Sequence, residues 1–114
     1  MSTVPRPTLY ALPKRVVDAL PWESLPGCSG VRHKVVFRGD GVVTGLLLLD
    51  PGAEEVPHLH GHGDHHLWVL EGGVEVEETP LPSGSYLHVP GGLLHGMRDS
   101  GMGSLLFYVF SGGS

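Results

Sequence analysis

The chain has 114 residues, the size of a single domain, and 40% of them are hydrophobic, enough to bury a core. Its 18 glycines and 10 prolines therefore read as punctuation between short strands rather than as a sign of disorder. A formal charge of −5 leaves no cationic surplus to displace counterions from phosphates, which excludes general nucleic-acid binding.

Residues 1–30 form an N-terminal arm broken by Pro5, Pro7, Pro13, Pro21 and Pro26. Within it, Lys14 to Leu20 has room only for a short helical turn or an edge strand. The arm is expected to lie against the body or against a neighbouring subunit, and it has no basic-then-apolar leader pattern. Residues 31–114 read as one domain of strands and turns. Val31 to Arg38 is a strand closed by Gly39-Asp40-Gly41, a hairpin signal. Val42 to Leu49 follows, and Asp50-Pro51-Gly52 turns the chain, proline presetting φ and glycine supplying the permissive position. Glu54 to His60 extends and is interrupted at Gly61 to Asp64. His66 to Leu70 leads into Gly72-Gly73, and Val74 to Glu78 alternates valine with glutamate, the mark of a half-buried strand. Pro80 to Gly84 is expected to turn, Ser85 to Val89 to extend, and Pro90-Gly91-Gly92 to turn again. Leu94 to Arg98 and Leu105 to Phe110 complete the set. About eight short strands with no convincing helix predict an all-β antiparallel sandwich or barrel.

The longest apolar run, Gly45 to Leu49, is far too short to span a membrane. The single cysteine, Cys28, excludes an intramolecular disulfide and fits a reducing compartment, so the expected location is cytoplasmic. A small β domain leaves sheet edges that must be covered, which predicts a homodimer, with the arm a candidate for pairing.

Histidine carries the functional signal. Of 8 in the chain, five fall close together: His58, His60, His62, His65 and His66. Residues two apart in a strand share a face, so His58 and His60 can offer two cis donors to one ion. Two such donors need a third and usually a fourth from elsewhere in the fold. Composition by itself leaves a solvated surface tract as the alternative. His33 and His88 read as ordinary strand residues, and Glu75, Glu77 and Glu78 as a solvent-facing set.

The stretch from Gly52 to Asp99 resembles the two motifs of the cupin superfamily. The first runs glycine, five residues, His-x-His, three or four residues, glutamate, six residues, glycine; here it meets Gly52, His58, His60, His65 and Gly72. The second runs glycine, five residues, Pro-x-Gly, two residues, histidine, three residues, asparagine; here it meets Gly84, Pro90, Gly92, His95 and Asp99. Histidine thus stands where the first motif has glutamate, and aspartate where the second has asparagine. Asp64 also satisfies the shorter form of the first motif, and a three-histidine site using neither His65 nor Asp64 is a further arrangement. The short link from Gly72 to Gly84 predicts a tight hairpin. The Asp99 substitution is expected to matter little, since that position is not a ligand.

The resemblance implies an antiparallel cupin jelly-roll β-barrel, or double-stranded β-helix. It implies one divalent transition-metal ion (Fe, Mn, Ni, Cu or Zn) held by His58, His60, His65 and His95. Four neutral imidazoles would leave that ion its full formal charge, which favours chelating oxygen ligands such as enolates, diketonates and catecholates. The function implied is a metal-dependent oxidoreductase of the dioxygenase type acting on a small organic substrate. Two alternatives share the fold: a sensor or ligand-binding module without catalysis, and a sugar isomerase-type cupin.

Overall fold

A computed structural model of the chain describes residues 8–58, 63–93 and 95–112, with the backbone alone at 56–58 and 95. One short helix, α1 (Lys14–Ala19), precedes the strands. They are β1 (Glu23–Ser24), β2 (Val31–Gly39), β3 (Val42–Leu49), β4 (Glu54–His58) and β5 (Asp64–Glu71). Then come β6 (Gly73–Val76), β7 (Thr79–Pro82), β8 (Tyr86–Val89), β9 (His95–Asp99) and β10 (Ser104–Ser111). They form two sheets, one of six strands in the order β1-β2-β3-β10-β5-β8 and one of four in the order β4-β9-β6-β7. Every pairing is antiparallel, as the short turns require. This is the all-β antiparallel fold expected from the spacing of turn residues, and the jelly roll that the cupin resemblance implies.

Alternation along the strands sets the core. On β3, Gly45, Leu47 and Leu49 are buried while Leu46 and Leu48 are partly covered on the other face. Val31, Leu49, Leu67, Val74, Met97 and Leu106 fill the space between the sheets. The predicted turns form for the reasons given: Asp40 and Gly41 both take positive φ, 51° and 75°, which the β2–β3 hairpin needs. The Asp50-Pro51-Gly52 turn closes with the Ala53 amide donating to the Asp50 carbonyl at 2.9 Å.

Two expectations are corrected. Residues 80–82, read as part of a turn, belong to strand β7, with Gly73 opposite Pro82 and Glu75 opposite Pro80. Both prolines are tolerated because β7 is an edge of the four-stranded sheet, where a missing N–H breaks no ladder. Glu77 and Glu78, expected on the face of a strand, are instead the two-residue loop of the β6–β7 hairpin, with φ of 48° and 68°.

Residues 8–20 lie over the outer face of the six-stranded sheet. The Tyr10 hydroxyl donates to the Val36 carbonyl at 2.8 Å. The Lys34 ammonium donates to the Val17 carbonyl at 2.7 Å, near the end of α1, and stands 4.4 Å from the centre of the Trp22 ring. A lysine on a sheet face can be 5% exposed only because the arm supplies carbonyl acceptors and an aromatic face for its charge. Between arm and sheet is an apolar cavity of about 520 Å³ that includes Tyr10, Leu12, Val17, Leu46 and Phe107. Among the described residues, no helix is long and apolar enough to cross a membrane.

Candidate functional site

The chain passes between its two sheets twice at the same end. It leaves the four-stranded sheet at His58 and joins the six-stranded sheet at Asp64; it leaves the latter at Val89 and returns at His95. Two registers tie these crossings together. His65 is opposite Val89 on β8, and His58 is opposite His95 on β9. The residues that carry the first histidine motif and the residue that carries the second are thereby strand neighbours at one mouth of the jelly roll. His60 and His62 lie outside the described residues. Of the four predicted ligands, only His65 has a described side chain, and among the described residues no three His, Cys, Asp or Glu side chains form a metal-holding group.

His65 faces inward. It lines a cavity of about 150 Å³ between the sheets, with Leu25, His33, Leu47, Glu55, Leu67 and Tyr108. Its ring meets the edges of Phe110 and Tyr108, with centroids 4.8 and 6.0 Å away. Asp64, its competitor for the glutamate position, faces the other way. The Asp64 carboxylate accepts from the Gly91 amide at 3.2 Å and stands 3.6 Å from His88 Nε2. The alternation of β5 thus gives the cavity to the histidine.

Three further residues with polar side chains line this cavity. Glu55 is 4% exposed, on β4 three residues before His58. His33, read as an ordinary strand residue, lines the cavity as well. Its parity with Val31 and Val35 was the available signal, since Val31 is a core residue. Tyr108 reaches the cavity across Gly45, its register partner on β3. A Cβ at Gly45 would lie 2.7 Å from the Tyr108 hydroxyl and closer still to the Lys34 carbonyl oxygen. Burial pushes the Tyr108 phenol up, with the Arg38 charge opposing, so the group remains a protonated donor at neutral pH. Among the described residues, neither the Tyr108 hydroxyl nor the His33 ring has a hydrogen-bond partner.

The remaining histidines with described side chains belong to the outer face. His66 stacks on His88, rings 4.6 Å apart and 9° from parallel, and its Nδ1 meets the Tyr86 hydroxyl at 2.5 Å. Trp68 continues this row, tilted against Tyr86 and Phe107.

Asp99 carries more than the sequence suggested. It is 2% exposed, and one carboxylate oxygen accepts the amides of Gly52, Gly101 and Gly103 at 2.9, 2.8 and 2.9 Å. Its other oxygen bonds the Ser104 hydroxyl, which also reaches the Gly73 carbonyl. Burial by itself would raise this carboxyl; the bonds from Ser104, Gly52, Gly103 and Gly101 outweigh it and hold the group below the ordinary value. With both oxygens engaged, Asp99 ties the turn before β4 to the turn after β9, the two strands that carry His58 and His95.

A family model described as the ChrR cupin-like domain matches residues 15–113. The chain belongs to this cupin family. The match begins inside the segment read as an arm, at the second residue of α1. No curated protein matches the sequence. Among solved structures, KdgF from a Halomonas species is 26% identical with a TM-score of 0.72, over 80% of this chain and 84% of that one. A candidate acetylacetone dioxygenase from Methylibium petroleiphilum PM1 is 15% identical with a TM-score of 0.76, over 96% and 82%. A chain of the Rhodobacter sphaeroides SigE complex with the anti-sigma ChrR is 23% identical with a TM-score of 0.68, over 85% and 52%. At such identities the last two speak for the cupin fold alone.

Proposed function

We propose that this cupin domain binds one divalent transition-metal ion through His58, His60, His65 and His95 and acts as a dioxygenase-type oxidoreductase on a small organic molecule. The observation that carries the reading is the register of His58 against His95 in one sheet, with His65 lining the inter-sheet cavity from the other. The donor set fits such an ion, since imidazole suits Fe, Ni, Cu and Zn, and Mn to a lesser degree. Bound there, the ion would supply Lewis acidity and cis positions for a chelating oxygen ligand. The chain's own part is to hold the rings in place and to exclude water with Leu25, Leu47 and Leu67. The volume of about 150 Å³ is below the range of drug-sized pockets, roughly 300–1,000 Å³, and supports a substrate of few atoms. Metal analysis of untagged protein, then oxygen uptake with diketones and catechols, tests this. Stoichiometric metal with substrate-dependent uptake is expected; protein that binds no transition metal overturns it.

A second reading is a metal-containing sensor or ligand-binding module. The match to the ChrR cupin-like family model favours it. It predicts bound metal with no oxygen uptake on any of these substrates.

We also propose a homodimer, formed through the outer face of the six-stranded sheet. Trp68, Leu70 and Tyr86 stand 38%, 48% and 48% exposed there, outside the apolar cavity under the arm. Light scattering at micromolar concentration is expected to give twice the mass of 12.1 kDa, and a monomer mass contradicts the proposal.

A further inference from the structure

The apolar cavity between the arm and the outer face of the six-stranded sheet is separate from the inter-sheet one. Neighbours along a strand face opposite ways, so Leu46 and Phe107 line the outer cavity while Leu47 and Tyr108 line the inner one. At about 520 Å³ the outer cavity falls within the range of small-molecule sites, roughly 300–1,000 Å³. Close-packed proteins hold few voids larger than a water molecule, so a space of this size under a docked segment calls for an occupant.

The lining sets the chemistry of that occupant. Among the described residues no acidic or basic side chain lines the cavity, so an ionic ligand would find no counter-charge. Tyr10, Phe37 and Phe107 supply aromatic rings, the first two edge to face with centroids 5.2 Å apart. The Tyr10 hydroxyl already donates to the Val36 carbonyl, which leaves Thr44 as the other hydroxyl of the lining. Water finds few partners in such a space, whereas a ring compound finds aromatic faces and edges to pack on.

The walls decide between a small molecule and a macromolecule. Phe37, Thr44, Leu46 and Phe107 belong to β2, β3 and β10, whose backbones are fixed by the sheet ladder. Tyr10, Leu12 and Val17 belong to the arm, which is tied down by the Tyr10 hydroxyl on Val36 and by the Lys34 ammonium on the Val17 carbonyl. A folded partner would have to break both ties to reach the sheet. A small molecule fits beneath the arm as it lies.

We propose that this cavity is a second binding site, for uncharged molecules with one or two fused aromatic rings, and that the arm is its cover. The site uses none of the histidines assigned to the metal. Because its ligand touches arm and sheet together, binding favours the docked arm.

The test uses N-phenyl-1-naphthylamine, an uncharged probe whose emission rises in apolar surroundings, on the full chain as purified. Saturable binding of one probe per chain is expected. Leu46→Glu, which sets a charge on the sheet wall, should weaken it about tenfold or more. Should Leu46→Glu fail to fold, Phe37→Glu makes the same test at a position 37% exposed. Tyr86→Ala, on the exposed aromatic row outside the cavity, should leave binding unchanged. Trypsin reads the cover, since Lys14 and Arg15 are exposed on α1. Probe at ten times its dissociation constant should slow cleavage there about tenfold. Absent saturation, or undiminished affinity in the folded glutamate variants, overturns the site. Affinity lost in Tyr86→Ala moves the probe to the aromatic row and overturns it as well. Cleavage at an unchanged rate overturns the arm's role as cover. Affinity that falls as protein concentration rises gives the cavity to a second copy of the chain and overturns the small-molecule assignment.

Discussion

At the scale of single residues, the charge on Asp99 makes the end of the fold away from the His58–His95 pair sensitive to acid. Its carboxyl lies below the ordinary value of 3.8 in the folded chain. A depressed folded pKa contributes stability that is fully present above the unfolded value and is lost as pH falls through the folded one. Asp99→Asn should therefore fold and show a flatter loss of stability below pH ~4 than the parent in urea titrations. Its amide can still accept through oxygen and donate to Ser104. Asp99→Ala removes the acceptor shared by the Gly52, Gly101 and Gly103 amides and the Ser104 hydroxyl, and should cost about 1–3 kcal/mol at neutral pH. Gly45 is the second single-residue control. Gly45→Ala places a Cβ against the Lys34 carbonyl and the Tyr108 hydroxyl, with a strand backbone that cannot yield easily. A loss of about 1–3 kcal/mol is expected from the overpacking, read by thermal melting.

At the scale of elements, the β6–β7 hairpin carries an avoidable strain. Its two loop residues need positive φ, and both are glutamates, like charges side by side with Cβ atoms in the left-handed region. Glu77→Asn with Glu78→Gly should raise stability by about 1 kcal/mol, seen as a higher melting temperature with no change in the cavity. The same hairpin shows what the sequence made legible. Turns written in Gly, Asp and Pro, such as Gly39-Asp40-Gly41 and Asp50-Pro51-Gly52, could be placed because their chemistry is local. The β6–β7 loop has no such residues, and β7 carries two prolines, so strand and turn were misassigned there. That β7 is an edge strand is a tertiary fact, and only this makes its prolines acceptable. The site divides the same way. The inward parity of His65 followed from its alternation with Leu67 and Val69, and that of His33 from Val31, whereas Glu55 needed a register between strands far apart in sequence. Lys34 was hidden for a further reason: its burial depends on an arm packed over a face that otherwise meets water.

At the scale of the whole molecule, the proposed metal centre is a statement about how two sheets meet. His58 and His95 are register partners in one sheet, and His65 lines the cavity from the other. An ion held by all of them would clamp the mouth of the jelly roll, so its binding free energy would add to folding free energy. His66 stacks on His88 on the outer face, and the motifs assign His62 no ligand position. Loss of His60 or His95 should therefore remove the metal and lower the melting temperature. Loss of His62 or His66 should leave metal content unchanged, and His66→Ala should disturb only the outer aromatic row. Metal content and melting curves for His60→Ala, His95→Ala, His62→Ala and His66→Ala decide the matter together. A chelator should then lower the melting temperature of the parent and of His66→Ala by the same amount while leaving His95→Ala where it was. Should His62→Ala and His66→Ala lose metal while His60→Ala and His95→Ala retain it, the histidine tract is a surface scavenger and the two motifs do not share an ion.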